Sequence, residues 1–493
     1  MNLAAVALVS LATLLVGFYG LRLSRTTSDF YVASRTVSPL VNASAIGGEY
    51  LSAASFLGIA GLVLAGGADL LWLPVGWTGG YLVLLVLVSA PLRRSGAYTL
   101  PDFAEARLES MAVRRTASLL VVLIGWLYLL SQLQAAGRVL TGMIGAPGWL
   151  GGPLVAAVVI IGVLGGGMRS ITLVQAFQYW LKLTALSVPL VFLLAAWRRD
   201  GAPGIDDQTW LLPLTGDRQL YSTYSLILVT FLGTMGLPHV LVRFYTNPDG
   251  RTARRTTAVV LVLLGVFYLL PAVYGALGKL YASDLVGSST GADGVVLELP
   301  RRLVGGVLGE VLTALLTAGA FAAFLSTSSG LTVSVAGVIG QDLLRGGVRS
   351  FRAATVPALG VPLLLALLMP TPLPVATMVG MAFALSASTF CPLLVLGIWW
   401  RGLTAAGALV GLLTGGALTG AAVVWTVAAG PGDGWAAVLL AQPGAWTVPL
   451  TFLVMVAVSR RTERPAGVAR TMVRLHTPER LRLDRGDWRP RRI

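Results

Sequence analysis

Cysteine is almost absent: Cys391 stands alone in 493 residues, which excludes an intrachain disulfide and any cysteine-built metal cluster. Histidine is nearly as scarce, with only His239 and His476, so a histidine-rich metal centre is excluded as well. Charge is the third shortage, since 12% of residues are Asp, Glu, Lys or Arg where soluble domains average about 25%. With 56% apolar residues and a mean hydropathy of +0.80, the chain has more apolar surface than a soluble core could hide. It reads as an all-α polytopic membrane protein.

Apolar runs of about 18 to 25 residues place thirteen helices near 3–21, 41–65, 70–92, 116–137, 150–167, 172–197, 221–242, 256–278, 305–339, 353–369, 373–400, 403–427 and 443–459. One transmembrane domain is expected over 1–459, followed by a basic cytoplasmic tail over 460–493. The run at 305–339 is long for one crossing, so it is expected to pass beyond the bilayer or to begin as a partly exposed segment. No charged side chain precedes the first span, and Arg22 and Arg25 follow it, so it reads as a retained span and not as a cleaved signal peptide.

Acidic residues are outnumbered, 21 against 36 Lys and Arg, for a net charge of +15. With the N-terminus outside, 28 of the 36 fall in inner loops or the tail, 7 fall outside and Lys182 alone lies within a span. That asymmetry predicts a multi-pass protein of the plasma membrane with its N-terminus outside and its C-terminus in the cytoplasm. It also accounts for the basicity without a nucleic-acid partner. The arginine-rich tail, whose only aromatic is Trp488, is expected to lie on anionic lipid or in the cytoplasm.

Two spans are interrupted. The second contains NASAIGGEYLSAASFLG (Asn42–Gly58), where Gly47-Gly48 and the ionisable Glu49 lie at depth, and its break is expected at the glycine pair. The seventh reads FLGTMGLPHVLVRFYT, with Gly233, Gly236 and Pro238. They are five spans apart. Gly- or Pro-interrupted helices at matching positions in two halves point to an inverted repeat, here about 41–197 and 221–427, with the substrate between the breaks. The competing reading is that 59 glycines make a glycine pair in any one span unremarkable.

The segments SDFYVASRTVSPLVNASAIGGEYLSAASFLG, LRRSGAYTLPDFAEARL, GLPHVLVRFYT, AAFLSTSSGLTVSVAGVIGQDLL and LGIWWRGLTAAGAL follow one another from Ser28 to about Ala408. In that order they resemble the sodium:solute symporter family, and within it most the cation:acetate (monocarboxylate) symporters. The resemblance implies a LeuT-type 5+5 inverted repeat with an extra N-terminal helix. It also implies secondary active symport of a small organic anion with Na+, with H+ as the alternative coupling ion. Matching the family's ion site residue by residue implies a sodium site made of the carbonyls of Gly48, Leu51 and Ala323 and the hydroxyls of Ser326 and Thr327. Without the resemblance, those two hydroxyls read as bonded back to the preceding helical turn. Leu173 stands where several relatives carry an acidic residue, so a second sodium site is not expected.

A short carboxylate needs N–H donors or a positive half-helix end, and an apolar pocket for its methyl group. Tyr50, Ser55, Phe231, Gly233, Thr234 and Gly236, at the two breaks, are the candidate substrate residues. Ala54 and Ser55 stand where sugar-carrying relatives have larger polar side chains, which disfavours a sugar. Glu49 reads as an ion- or proton-coupling group or as the partner of a buried donor. Lys182 shares a polar stripe with Gln175, Gln178 and Tyr179; it is expected to neutralise Glu49, to attract the anion, or to extend along its helix to the interface. His239 is expected to be a hydrogen-bonded structural histidine, and Arg243 to reach the inner headgroups. An integral membrane enzyme is disfavoured, because no His/Asp or Cys/His constellation lies at membrane depth. A transporter-like sensor is disfavoured because the 34 residues of basic tail after the bundle are too few for a signalling domain. The expected partners are a small organic anion and the bilayer; the oligomeric state is left open.

Overall fold

Apolar segments that leave water must satisfy their backbone groups internally, and among the described residues every regular element is helical. The computed structural model describes residues 1–21, 33, 36–212, 217–287, 291–344, 346–369, 375–429, 432 and 434–479. Arg22, Arg25, Arg35, Arg345, Trp488 and the tail arginines from Arg480 onward lie outside the described residues, as does the beginning of the SDFYVASRTV segment.

Helix α1 (Asn2–Leu21) precedes the first interrupted span, formed by α2 (Pro39–Tyr50), a π turn at Ala54–Gly58 and α3 (Ile59–Gly66). Gly67, at φ 75°, turns the chain into α4 (Trp72–Val83), which continues through a π turn into α5 (Ser89–Ser95). A short helix, α6 (Leu100–Leu108), then starts at a reciprocal cap in which Thr99 and Asp102 bond each other's backbone N–H. It leads to α7 (Met111–Ile144) and to α8 (Gly151–Arg199), which is divided at Gly167, φ 55°. The second half holds α9 (Asp217–Gly236), α10 (Pro238–Val242), α11 (Gly250–Tyr281), the amphipathic α12 (Val295–Leu303), α13 (Gly306–Val338), α14 (Gly347–Leu368) and α15 (Val375–Trp399). Helices α16 (Ala405–Ala429), α17 (Trp435–Ala441), α18 (Gly444–Ser459) and α19 (Val468–His476) complete the described chain.

Ten helical runs are long and apolar enough to cross a membrane, or eleven if α17 and α18, bent by 63°, form one span. The sequence count of thirteen is higher because two pairs of expected spans are each one run here. The first such run is 54–95, turning at Gly67, and the second is 148–199, divided at Gly167. The 305–339 run continues through a π turn to Leu343, so it is as long as its apolar stretch suggested.

Helix α8 runs against α13, α2 and α1, while α9 lies between α4 and α15. Leu8, Leu15, Val191, Leu269 and Leu453 are exposed on the outside of the bundle, the surface a lipid-embedded protein turns to acyl chains. At the arginine-rich end, Arg114 at the foot of α7 pairs with Asp102 at 2.8 Å, with Asp342 at 2.6 Å and with Glu105. These acids come from α6 and from the turn that ends the α13 run. Helix α19 lies across the same end, with Val468, Met472 and Leu475 buried. Arg94 donates to the carbonyls of Leu475 (3.5 Å) and His476 (3.4 Å), and His476 Nε2 lies 2.9 Å from the Ile398 carbonyl.

Candidate functional site

The first span does not break at its glycine pair. Helix α2 continues through Gly47, Gly48 and Glu49 to Tyr50; Leu51, at ψ 80°, is the residue that leaves the helix. Ser52 then caps the outgoing half, its Oγ accepting from Ala54 N at 3.2 Å, while Gln132 Oε1 accepts from Ala53 N at 3.1 Å. The glycines serve close approach: a Cβ on Gly48 would fall on the Gln175 carbonyl, and one on Gly47 would lie 2.8 Å from the Tyr179 ring. The seventh span breaks where expected, at Leu237 (ψ 117°) with Pro238 opening α10.

Ending α2 at Leu51 leaves carbonyls without helical partners. Lys182 Nζ, fully buried on α8, donates to the carbonyls of Gly48 at 2.5 Å and Leu51 at 2.7 Å, and to Ser326 Oγ at 3.1 Å. Ser326 Oγ in turn donates to the Ala323 carbonyl at 3.1 Å. Thr327 Oγ1 donates to the Glu49 carbonyl at 2.6 Å, linking α13 to α2. The five residues expected around an ion are thus brought together, and the Lys182 nitrogen bonds three of their oxygens. Lys182 neither extends to the interface nor pairs with Glu49.

Glu49 pairs instead with Arg243, which is buried and does not reach the headgroups. Arg243 Nε lies 2.6 Å from Glu49 Oε2, with side-chain exposures of 0% and 2%. The guanidinium also donates to Thr172 Oγ1 at 2.7 Å and to Gln175 Oε1, and Gln175 Nε2 donates to the Ser326 carbonyl at 2.7 Å. One polar chain therefore joins both interrupted spans to α8 and α13. His239 is not hydrogen-bonded among the described residues; its ring packs edge-on to Tyr128 at 5.3 Å. Low overall charge hides this network from a sequence reading, because partners 194 residues apart have no signature in spacing.

Above it, the two breaks meet in a cluster of rings. Tyr50 Oη lies 2.7 Å from Thr234 Oγ1, and Ser55 Oγ lies 3.1 Å from Tyr268 Oη. The Tyr50 ring is 4.9 Å from Tyr81 and 6.3 Å from Phe383, and Trp77 is 5.8 Å from both Phe383 and Tyr268. Trp77 Nε1 and Tyr81 Oη are buried with no hydrogen-bond partner among the described residues. Gly233 and Gly236 act in packing: a Cβ on the former would lie 2.6 Å from the Phe383 carbonyl, and on the latter 2.6 Å from Ser386 Oγ. Phe231 lies against Gly79, outside the ring cluster. Sequence reasoning missed Trp77, Tyr81, Tyr128, Tyr268 and Phe383. The available signal was that Trp77 and Tyr81 sit four apart inside a span and not in an interfacial belt. A cavity of about 130 Å³, lined by Leu62, Leu73, Leu226, Met381, Ala384 and Gln442 among others, lies towards the end of the bundle away from Arg114.

This architecture has known counterparts. A sequence model of the sodium:solute symporter family matches residues 30–415. The uncharacterized symporter YwcA of Bacillus subtilis (strain 168) is 32% identical, over 92% of this chain and 93% of its own length. The monocarboxylic acid transporter of Corynebacterium glutamicum is 31% identical, over 88% and 87%. Among solved structures, a Na+-coupled sialic acid symporter in a substrate-bound outward-open state superposes with a TM-score of 0.71 at 15% identity, covering 94% of this chain and 98% of that one. Mhp1, a nucleobase-cation-symport-1 family transporter, gives 0.54 at 14% identity, covering 90% and 98%. On a LeuT-type fold, the chain is a multi-pass membrane protein that belongs to the sodium:solute symporter family.

Proposed function

We propose that this transporter takes up a short-chain monocarboxylate, acetate-like in size, together with a cation by alternating access. The observation that carries the reading is the cluster of rings where the two breaks meet, with the unpaired donors of Trp77 and Tyr81. Buried donors without partners are costly unless a ligand accepts from them, and aromatic walls suit a methyl group better than a ring of hydroxyls. Tyr50, Ser55 and Thr234 complete the proposed substrate contacts. The 31% identical monocarboxylic acid transporter supports the substrate class.

Na+ is the family's coupling ion, and the oxygens of Gly48, Leu51, Ala323, Ser326 and Thr327 line the position that the family's cation site would occupy. H+ is the second reading, favoured by the lysine that bonds three of those oxygens. The arginine asymmetry supports a plasma-membrane protein with its N-terminus outside, so that uptake proceeds towards the Arg114 end. Moving one charge through 100 mV is worth about 2.3 kcal/mol. A monocarboxylate entering against an inside-negative potential is opposed by that amount, and one co-transported monovalent cation cancels it. Coupling requires both solutes to favour the same conformation, because a ligand shifts an equilibrium only through differential affinity.

The test is uptake of labelled acetate into proteoliposomes under an imposed Na+ gradient and, separately, an imposed pH gradient. Accumulation under either establishes symport and names the ion. Competition by pyruvate, propionate, proline and pantothenate-like compounds ranks the substrates. No accumulation under either gradient, in protein shown to be folded, removes acetate from the proposal.

A further inference from the structure

We infer that Lys182 is a built-in cation: its ammonium takes the position a sodium ion would otherwise fill at the first break, so that no Na+ binds there in the wild-type protein. The inference refines the cation part of the transporter reading and rests on hydrogen-bond direction. Ser326 Oγ donates its own proton to the Ala323 carbonyl, so towards Lys182 it accepts. The carbonyls of Gly48 and Leu51 can only accept. Nζ therefore faces three acceptors, and three N–H donors are what an ammonium has; a neutral amine would turn its lone pair on an oxygen.

The setting fits a tethered charge. The two carbonyls are the exposed negative end of α2, where a cation is stabilised by the helix dipole. Arg243, the other buried cation nearby, is committed to Glu49, Thr172 and Gln175. Glu49 is the carboxylate of the same network, and it spends its charge on Arg243. With Glu49 paired to Arg243, sodium entering beside Lys182 would meet a site of net positive charge. At about 4 Å and the effective dielectric of a protein site, that repulsion weakens binding about a thousandfold. The ammonium also keeps α2, α8 and α13 joined when no ion is present, a task that a diffusible cation performs only while bound.

Sodium binding to the purified full-length protein, measured with radioactive Na+ in detergent without substrate, tests the inference independently of what is transported. The wild-type protein is expected to show no saturable Na+ binding that depends on Ser326. Lys182→Ala, and Lys182→Ser as a second variant, are expected to gain a saturable Na+ site that Ser326→Ala then removes. Wild-type Na+ binding lost on Ser326→Ala overturns the inference, as does the absence of any added Na+ binding in folded Lys182 variants. If neither Lys182 variant folds, the wild-type and Ser326→Ala pair decides alone. Failure of acetate uptake would bear on the substrate reading and leave this result standing.

Discussion

Replacing Glu49 by Ala leaves the Arg243 guanidinium buried with only the neutral oxygens of Thr172 and Gln175 as partners. Both side chains of the pair are excluded from solvent, so the discount that applies to surface ion pairs does not apply here. Removing one partner of such a pair costs about 3–5 kcal/mol, mostly as the penalty of the unpaired charge left behind. Arg243→Ala should cost as much, because it takes the guanidinium from Glu49 Oε2 while Oε1 has no hydrogen-bond partner among the described residues. The double variant Glu49→Ala/Arg243→Ala buries neither charge. Its loss should therefore fall short of the sum of the singles by up to about 3 kcal/mol, the upper range for residues in contact. Denaturant unfolding of the purified protein in detergent, read by intrinsic fluorescence, supplies the four corners of this cycle. Single losses below about 1 kcal/mol, or singles that add within about 0.5 kcal/mol, would refute a desolvated pair holding the two interrupted spans together. Glu49→Gln, which retains an acceptor without the charge, separates hydrogen bonding from electrostatics.

Trp77→Phe and Tyr81→Phe each keep a ring and delete a donor. If these donors meet a carboxylate, each should raise the acetate KM about tenfold or more, the worth of a hydrogen bond to a charged group, with little change in protein abundance. An unchanged KM in both would move the substrate elsewhere. Gly48→Ala should lower the yield of folded protein, because its Cβ would meet the Gln175 backbone and overpacking costs about 1–3 kcal/mol. Gly145→Ala, with open space around it but φ 65°, is the control for backbone strain without a clash. Arg114→Ala breaks the ties among α6, α7 and the α13 run. In a Cys391→Ser background it should speed thiol labelling of Ser334→Cys, which shares a small pocket with Tyr98, Pro238 and Phe351; equal labelling rates would show that those ties do not close this end.

Much of the fold was legible because hydropathy and charge asymmetry act over whole segments. The order of the spans, the second break at Pro238 and the pairing of Ser326 and Thr327 with the first broken helix all follow from such patterns or from family motifs. The first break was misplaced by three residues because a glycine pair signals two things, freedom to bend and room to approach. Here Gln175 and Tyr179 take the room. Arg243 and Lys182 were misread for another reason. A long basic side chain, near a helix end as for Arg243 or within a span as for Lys182, is ordinarily carried to water, and only the cross-helix positions of Glu49, Gly48 and Leu51 show that these two stay inside. The aromatic cluster was invisible because its rings come from five different helices.

Helix α19 holds on to two distant parts of the chain at once: Arg94, just after the third apolar stretch, and Ile398, at the last turn of α15. A clasp fastened at both ends registers any change in the distance between its fastenings. Whenever the feet of those two helices separate, either the bonds to Arg94 or the bond from His476 must open. Any such separation is thus tied to a nine-residue segment that lies apart from both interrupted spans.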